Sequence, residues 1–262
     1  MKQEFFRDLT ILCGDKVPIF CNQENFLLKG NIYKIQNVLP EFYILAKGAK
    51  KDSLDNGRPS NGMFITLPKA FNSSILDVSP EHWRLQAAIL SSETADLLII
   101  NSYFPTDSGH SHANNEELLE VLTAIENVID SNQFSALIWA GDINADFLRR
   151  TKHVQVVSNF LDKLGLFQAW KRFKVDFTHT YELNNQSFVS KIDHFFWSES
   201  LDEAIVDAGV IHSGQNPSDH CPIYCVIDQF KLKKNRIDIV ANKPKPSWKK
   251  ASENHKLDFK LN

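Results

Sequence analysis

Short apolar runs separated by turn residues indicate a protein rich in β-strands. The runs favour β-branched and aromatic residues, and several are apolar throughout, which is typical of strands buried on both faces. We predict strands at residues 17–21, 63–67, 85–90, 97–103, 136–140, 192–197 and 223–227.

Two longer segments between the runs have helical periodicity. In residues 115–130 the apolar side chains recur every three or four positions, and Asn114 or Asn115 is a suitable N-cap. Residues 151–164 present a second apolar stripe, and Gly165 follows at the position where helices often end. Because strands and helices alternate, we predict two packed sheets covered by helices rather than a bundle or an all-β sandwich.

Composition supports one large domain with a tail. The chain has 262 residues, of which 43% are hydrophobic and 23% charged, enough to build a substantial core. The composition changes after Phe230, so we predict a domain at residues 1–230 and a basic, Pro/Lys-rich linker tail at residues 231–262.

The charges are distributed unevenly between these two parts. Residues 1–230 contain 19 basic and 29 acidic residues, whereas the tail contains ten basic and three acidic residues. An acidic body suits a cleft that collects a divalent cation. The tail is the segment whose charge favours contact with nucleic acid.

The expected location follows from what the sequence lacks. The N-terminus has no signal-peptide pattern, and no apolar run approaches the roughly 18 residues that a membrane span requires. We predict an intracellular protein, nuclear or cytoplasmic, that is not secreted and has no membrane partner; protein partners stay unassigned.

The four cysteines have no zinc-ribbon spacing, and we expect them to be reduced.

Acidic and amide residues lie next to four of the apolar runs. Catalytic groups commonly lie at strand ends, and Mg²⁺ prefers oxygen ligands of this kind. The residues are Glu24, Asp142 with Asn144, Asp193, and Asp219 with His220.

Five short motifs, in this order, resemble the signature of the endonuclease/exonuclease/phosphatase superfamily, which includes abasic-site endonucleases and the endonucleases of non-LTR (LINE-type) retrotransposons. The resemblance implies an α/β (α+β) fold, a four-layered α/β sandwich of two packed mixed β-sheets flanked by helices. In the tail, residues 243–252 are similar to the linker that joins endonuclease to reverse transcriptase in such elements. The motifs are Gln23-Glu24, Asn101-Ser102-Tyr103-Phe104-Pro105, Gly141-Asp142-Ile143-Asn144, Ile192-Asp193 and Ser218-Asp219-His220.

The resemblance also implies metal ligands. Glu24 would be the principal ligand of Mg²⁺, for which Mn²⁺ could substitute, and Asp219 would contribute to metal binding.

Catalytic roles are implied in the same way. His220 would lie over the scissile phosphate and be oriented by Asp193, while Asp142, aided by Asn144, would position or activate the attacking water. Tyr103 would hydrogen-bond a non-bridging phosphate oxygen. The group that accepts the proton stays open. The substrate implied is the phosphodiester backbone of DNA.

One feature departs from the superfamily pattern. Members begin with a strand that carries an asparagine of the metal site, whereas residues 1–13 here resemble the helix that normally follows that strand. We therefore expect the first strand to be missing, as in an N-terminally truncated domain. Its loss would expose unpaired backbone and disturb the metal site.

Three functions follow from these observations. The first is a Mg²⁺-dependent, DNA-nicking endonuclease derived from a retrotransposon. The second is a phosphoesterase of the same fold that acts on a small molecule, since catalytic residues alone do not define the substrate. The third is an inactive remnant or binding module, which the missing strand would explain.

Individual residues also have simpler interpretations. Asp142 and Asn144 could form only a turn, Tyr103 could be a core aromatic residue, and Asp193 could bind only a backbone donor. His179 or Thr178 could contact DNA, but turn and strand propensity explain that segment equally well.

Overall fold

A computed structural model of the protein describes residues 3–49, 60–69, 74–107, 112–173, 179–183, 188–212 and 216–232. The helices are α1 (Gln3–Leu12), α2 (Tyr33–Val38), α3 (His112–Ser131), α4 (Lys152–Leu164), α5 (Ala169–Arg172) and α6 (Glu199–Asp202). The strands are β1 (Phe20–Asn22), β2 (Phe42–Lys47), β3 (Met63–Pro68), β4 (Ser74–Asp77), β5 (Leu85–Ser91), β6 (Asp96–Tyr103), β7 (Ala136–Asp142), β8 (Phe167–Gln168), β9 (Tyr181–Leu183), β10 (Phe188–Ser190), β11 (Asp193–Trp197), β12 (Ile205–Val210) and β13 (Ile223–Ile227).

The largest sheet has six strands in the order β4-β5-β6-β7-β11-β8. Strands β6 and β7 are parallel and are connected through α3, while the other neighbours in this sheet are antiparallel. A three-stranded sheet has the order β1-β3-β2, and two further antiparallel pairs join β12 to β13 and β9 to β10.

An apolar core joins the six-stranded sheet to β3 and β12. Side chains from both sides of this interface are almost fully buried. They include Ile65, Ile99, Trp197 and Ile205. Burying such side chains stabilises the fold by about 1.5–3 kcal/mol each before entropy is counted. The interface is therefore the central core of the sandwich.

Helices cover the outer faces of both sheets. Helices α3 and α4 pack on the six-stranded sheet around Trp139, Ile125 and Phe160. Helices α1 and α2 place Phe6 and Ile35 against Phe64 on the three-stranded sheet. The order helix, sheet, sheet, helix confirms the predicted four-layered sandwich of mixed sheets.

Most predicted elements are present, with differences at their ends. The first predicted strand begins at Phe20 rather than residue 17. Helix α3 begins at His112, so Asn114 and Asn115 lie inside the helix and the predicted N-cap is wrong; Asn114 donates to the Thr106 carbonyl instead. Asparagine is found in first turns as well as at caps, which makes this boundary hard to predict.

The second long helix has the predicted ends. Thr151 accepts a hydrogen bond from the Val154 amide, and Gly165 follows the helix with φ +63°. A left-handed residue at this position is natural for glycine, which has no Cβ.

The predicted N-terminal helix is confirmed as α1, which is the first element of the described chain. In the described ranges, β1 pairs only with β3 and β13 pairs only with β12. The second sheet layer is thus built from two separate pieces.

The predicted tail lies almost entirely outside the described residues, which end at Leu232. Within the described ranges, no helix has the length and apolar character needed to cross a bilayer.

Candidate active site

Strand register brings three of the predicted site residues to the same level of the six-stranded sheet. Tyr103 on β6 pairs with Asp142 on β7, and Asp142 pairs with Asp193 on β11. Asp142 and Asp193 are only 5% and 7% exposed. Two carboxyl groups are thus buried side by side where β7 ends, an arrangement that requires a positive partner.

His220 supplies positive charge at this point. Its Nδ1 lies 3.0 and 3.1 Å from the two carboxylate oxygens of Asp193, and its Nε2 lies 3.9 Å from Asp142 Oδ2. The ring packs edge-on against Tyr181, with 4.9 Å between centroids. The imidazole therefore lies between two carboxylates with one face covered.

The surroundings of His220 determine its charge. Burial lowers the pKa of His220, but the charge and hydrogen bond of Asp193 and the charges of Asp142 and Asp219 outweigh this effect and raise it to about 10. His220 is consequently an imidazolium at neutral pH.

Asp193 is held by the backbone around it. The Thr180 hydroxyl accepts hydrogen bonds from the amides of Ile192 (3.0 Å) and Asp193 (3.1 Å), and the indole of Trp170 donates to the Asp193 carbonyl over 3.0 Å. These contacts fix the start of β11, and with it the carboxylate that orients His220.

Asp142 is fixed by the turn that follows β7. The Asn144 amide donates to Asp142 Oδ1 over 2.9 Å, and the Asn144 side chain donates to the Phe104 carbonyl over 2.9 Å. Burial and the negative charge of Asp193 raise the pKa of Asp142 well above its usual range, against the opposing effects of His220 and the Asn144 hydrogen bond. This carboxyl group is therefore unusually ready to accept a proton.

Tyr103 connects Glu24 to this group. Its hydroxyl donates to Glu24 Oε1 over 3.0 Å, and the guanidinium of Arg84 lies 4.9 Å from the centre of its ring. Arg84 is itself held by two hydrogen bonds to the Glu117 carboxylate, of 2.8 and 3.0 Å. Burial and the charge and hydrogen bond of Glu24 raise the pKa of Tyr103, so it remains a phenol donor.

Glu24 has a constrained backbone. Its φ is +51°, and that of Asn144 is +50°. Non-glycine residues in this left-handed region are uncommon and concentrate at functional sites. Just before Glu24, the side chain of Gln23 hydrogen-bonds Asn101, which also donates to the Phe64 carbonyl and so attaches β1 to β3 and β6.

Asp219 is the most exposed of the predicted site residues. Its carbonyl accepts a hydrogen bond from the Glu182 amide over 2.9 Å, and its side chain accepts one from Ser218. Asp219 acts on the buried group through charge, since it contributes to the raised pKa of His220.

The chemistry of the donors suits a hard divalent cation. Among the described residues, Asp142, Asp193 and His220 have ligand atoms within 4.8 Å of one another, and the charge of Glu24 also acts on Asp142. Burial and the like charges of Asp193 and Glu24 raise the pKa of Asp142, and a cation there would relieve the repulsion between these charges. The predicted ligands Glu24 and Asp219 approach this group from two different segments, one after β1 and the other before β13.

Several residues of the site were not predicted from the sequence. Arg84, Thr180 and Trp170 act through a ring contact or through backbone groups, and no motif marks such roles. Thr180 belongs to a segment that the sequence indicated only as a possible DNA contact. His179 contacts Glu182 there, and Thr178 lies outside the described residues.

Comparisons with known proteins agree with this geometry at the level of the fold. No protein-family model matches the chain, and no curated protein matches it in sequence. A 3′-5′ exonuclease (NExo) from Neisseria meningitidis is similar in structure, with a TM-score of 0.67, 17% identity and coverage of 86% of this chain and 95% of the other. The AP endonuclease LMAP from Leishmania major has a TM-score of 0.66 and 12% identity, with coverage of 86% and 84%.

A retrotransposon protein is also similar. The endonuclease domain of TRAS1, a telomere-specific non-LTR retrotransposon, has a TM-score of 0.57 and 14% identity, with coverage of 84% of this chain and 91% of the other. The solved structures are nucleases, and the likeness extends over most of each chain. The chain has the fold of these nucleases, which include the retrotransposon endonuclease domain of TRAS1.

Proposed function

We propose that the protein is a Mg²⁺-dependent phosphodiester hydrolase that nicks DNA, derived from a retrotransposon endonuclease. The observation that carries the proposal is the chain of contacts from Asp193 through His220 to Asp142, with Glu24 and Tyr103 beside it. It combines a fixed cation, a carboxyl group with a raised pKa and a phenol donor, which are the groups that phosphodiester hydrolysis requires.

Glu24 and Asp219 would hold the metal, either Mg²⁺ or Mn²⁺. A divalent ion bound there supplies positive charge that neutralises the negative charge developing on phosphate or on the leaving oxygen. Magnesium keeps several waters and is bound by one or two carboxylates plus substrate, which fits a half-buried Glu24 and an exposed Asp219.

His220 acts as a fixed cation against the phosphate. Burial lowers its pKa, but the carboxylates of Asp193, Asp142 and Asp219 outweigh this effect and raise it to about 10, which favours the protonated ring. Asp193 fixes the ring, and Tyr103 donates a hydrogen bond to a non-bridging oxygen as charge builds up.

Asp142 accepts the proton of the attacking water. Burial and the negative charge of Asp193 raise its pKa, which favours proton uptake, and Asn144 fixes its orientation. The water oxygen forms a bond to phosphorus, the bond from phosphorus to the leaving sugar oxygen breaks in line, and that oxygen takes up a proton from solvent.

DNA is the proposed substrate because one of the similar structures contains bound DNA. A second Neisseria NExo structure, of the enzyme as a 3′ phosphatase, is bound to a product DNA hairpin; its TM-score is 0.66 with 18% identity, covering 85% of this chain and 94% of the other. The basic tail adds charge that favours a phosphate backbone.

The proposal is tested by incubating the purified chain with supercoiled plasmid and Mg²⁺. We expect conversion to open circles, abolished by chelation and reduced about a hundredfold or more in Glu24→Gln and His220→Ala. Glu126→Gln is the matched control, because Glu126 pairs with Lys163 on the helical surface. This variant should nick plasmid as the wild type does.

Two other outcomes would overturn the proposal. Plasmid left intact while bis(p-nitrophenyl) phosphate is hydrolysed would indicate the small-molecule phosphoesterase. Failure on both substrates, together with no change in melting temperature on addition of Mg²⁺ or Mn²⁺, would indicate an inactive remnant or binding module.

A further inference from the structure

A second group of metal-binding side chains lies beside the candidate active site and takes no part in it. The ligand atoms of His179, His212 and Cys221 lie within 4.8 Å of one another. The Cys221 sulfur is 3.4 Å from His212 Nδ1, and the rings of His179 and His212 have centroids 5.1 Å apart. The three side chains come from three separate segments, before β9, after β12 and before β13.

The donors differ in kind from those of the proposed Mg²⁺ site. One thiol and two imidazoles are the ligands that zinc and similar ions prefer, whereas Mg²⁺ prefers oxygen. In a tetrahedral zinc site the sulfur and nitrogen ligands lie about 3.5 Å apart, given the usual bond lengths. The separation of Cys221 and His212 already has this value.

Backbone hydrogen bonds hold the three segments in place. The Cys221 amide donates to the Thr180 carbonyl over 2.7 Å, next to His179. The Ile211 amide donates to the Pro222 carbonyl over 2.8 Å, which fixes the neighbours of His212 and Cys221 to each other. The donor set is therefore brought together by the fold itself, so binding an ion requires little rearrangement.

A carboxylate completes the group. Glu182 Oε2 lies 3.0 Å from His179 Nε2. A carboxylate hydrogen-bonded to a metal-binding histidine is a common outer partner that fixes the ring and increases its basicity. Glu182 also brings negative charge, which favours a divalent cation.

We propose that His179, His212 and Cys221 form a second metal site, specific for zinc-class ions and distinct from the Mg²⁺ site. Successive side chains of an extended segment point to opposite faces, so His220 faces Asp193 while Cys221 faces His212. An ion bound to Cys221 links the segment that carries His220 to the segments of His179 and His212. It thereby restricts the movement of His220, the residue next to Cys221.

The test is titration of the metal-stripped full chain with Co²⁺, followed by absorption spectroscopy. We expect one equivalent to produce the thiolate-to-cobalt charge-transfer band, and Zn²⁺ to remove it. The band should be lost in Cys221→Ser and weakened in His212→Ala. The His212 side chain is exposed, so its removal leaves the core unchanged. Cys13→Ser is the matched control and should keep the band, because Cys13 follows α1 and does not belong to the group of His179, His212 and Cys221.

A further variant separates the two metal sites. Glu24→Gln removes the proposed Mg²⁺ ligand and should keep the cobalt band, whatever its effect on nicking. The proposal is overturned if the wild-type chain shows no thiolate band, or if Cys221→Ser shows the same band as wild type.

Discussion

At the scale of single residues, Asp142 is the carboxyl group whose negative charge is most unfavourable where it lies. Burial of this carboxyl group, together with the negative charge of Asp193 beside it, raises its pKa. Replacing it by asparagine removes the charge but keeps an oxygen that can accept the hydrogen bond from Asn144.

We therefore predict that Asp142→Asn raises the melting temperature of the metal-free protein while it lowers nicking about a hundredfold or more. Calorimetry and the plasmid assay measure the two effects. A lower melting temperature with activity retained would show that the buried charge is neither costly nor catalytic.

His220 predicts a dependence of stability on pH. Its folded pKa of about 10 lies above its ordinary value of 6.5, so the charged form stabilises the fold. The contribution is complete below about pH 6.5 and is lost as the pH rises toward 10.

The measurement is the free energy of unfolding of metal-free wild type and His220→Gln across this range. The wild type should be the more stable at pH 6, and the difference should shrink steadily and disappear near pH 10. A difference that stays constant with pH would mean that His220 is not held as a cation.

Sequence motifs mark the candidate site residues but not the residues that hold them in position. Glu24, Asp142, Asp193 and His220 stand in short patterns next to apolar runs, so their proximity could be predicted. Arg84 is different, because its role depends on a ring contact with Tyr103 and a pair with Glu117 that join distant parts of the chain. No local pattern encodes such contacts.

At the scale of elements, the parallel pairing of β6 and β7 sets Tyr103 of the candidate site beside Asp142. Gly141 pairs with Ser102 one residue before Asp142, and a Cβ at Gly141 would lie 2.1 Å from the Ser102 carbonyl oxygen. Since that oxygen belongs to the backbone, the two strands would have to move apart.

Gly141→Ala should therefore lower the free energy of unfolding by about 1–3 kcal/mol and also reduce nicking, because Asp142 moves with the strand. Gly165→Ala is the matched control: its left-handed φ costs about 1–2 kcal/mol, but it lies at the end of α4 with open space around it. Denaturant unfolding and the plasmid assay compare the two. Equal nicking by both variants would contradict the role given to the pairing.

Element ends were predicted less well than element identities. The apolar stripe of α4, with Thr151 before it and Gly165 after it, marks both ends by side-chain chemistry. Helix α3 begins with His112-Ala113-Asn114-Asn115, and its asparagines resemble an N-cap although they lie inside the helix, so the predicted start was three residues late.

At the scale of the whole molecule, the site lies where separate structural pieces meet. Glu24 follows β1 in the three-stranded sheet, Asp142 and Asp193 belong to the six-stranded sheet, and His220 precedes β13. Apolar patterning predicts two packed sheets covered by helices, and the resemblance implies their four-layered order. The convergence of these three pieces depends on packing that neither specifies. We propose that their polar groups surround one divalent ion.

Diffraction from crystals soaked in Mn²⁺, with anomalous data, tests this claim most directly. We predict an anomalous peak at coordination distance from the Glu24 carboxylate, on the side of Asp142 and His220, which disappears in crystals of Glu24→Gln. Manganese bound elsewhere on the surface, with no ion at Glu24, would contradict it.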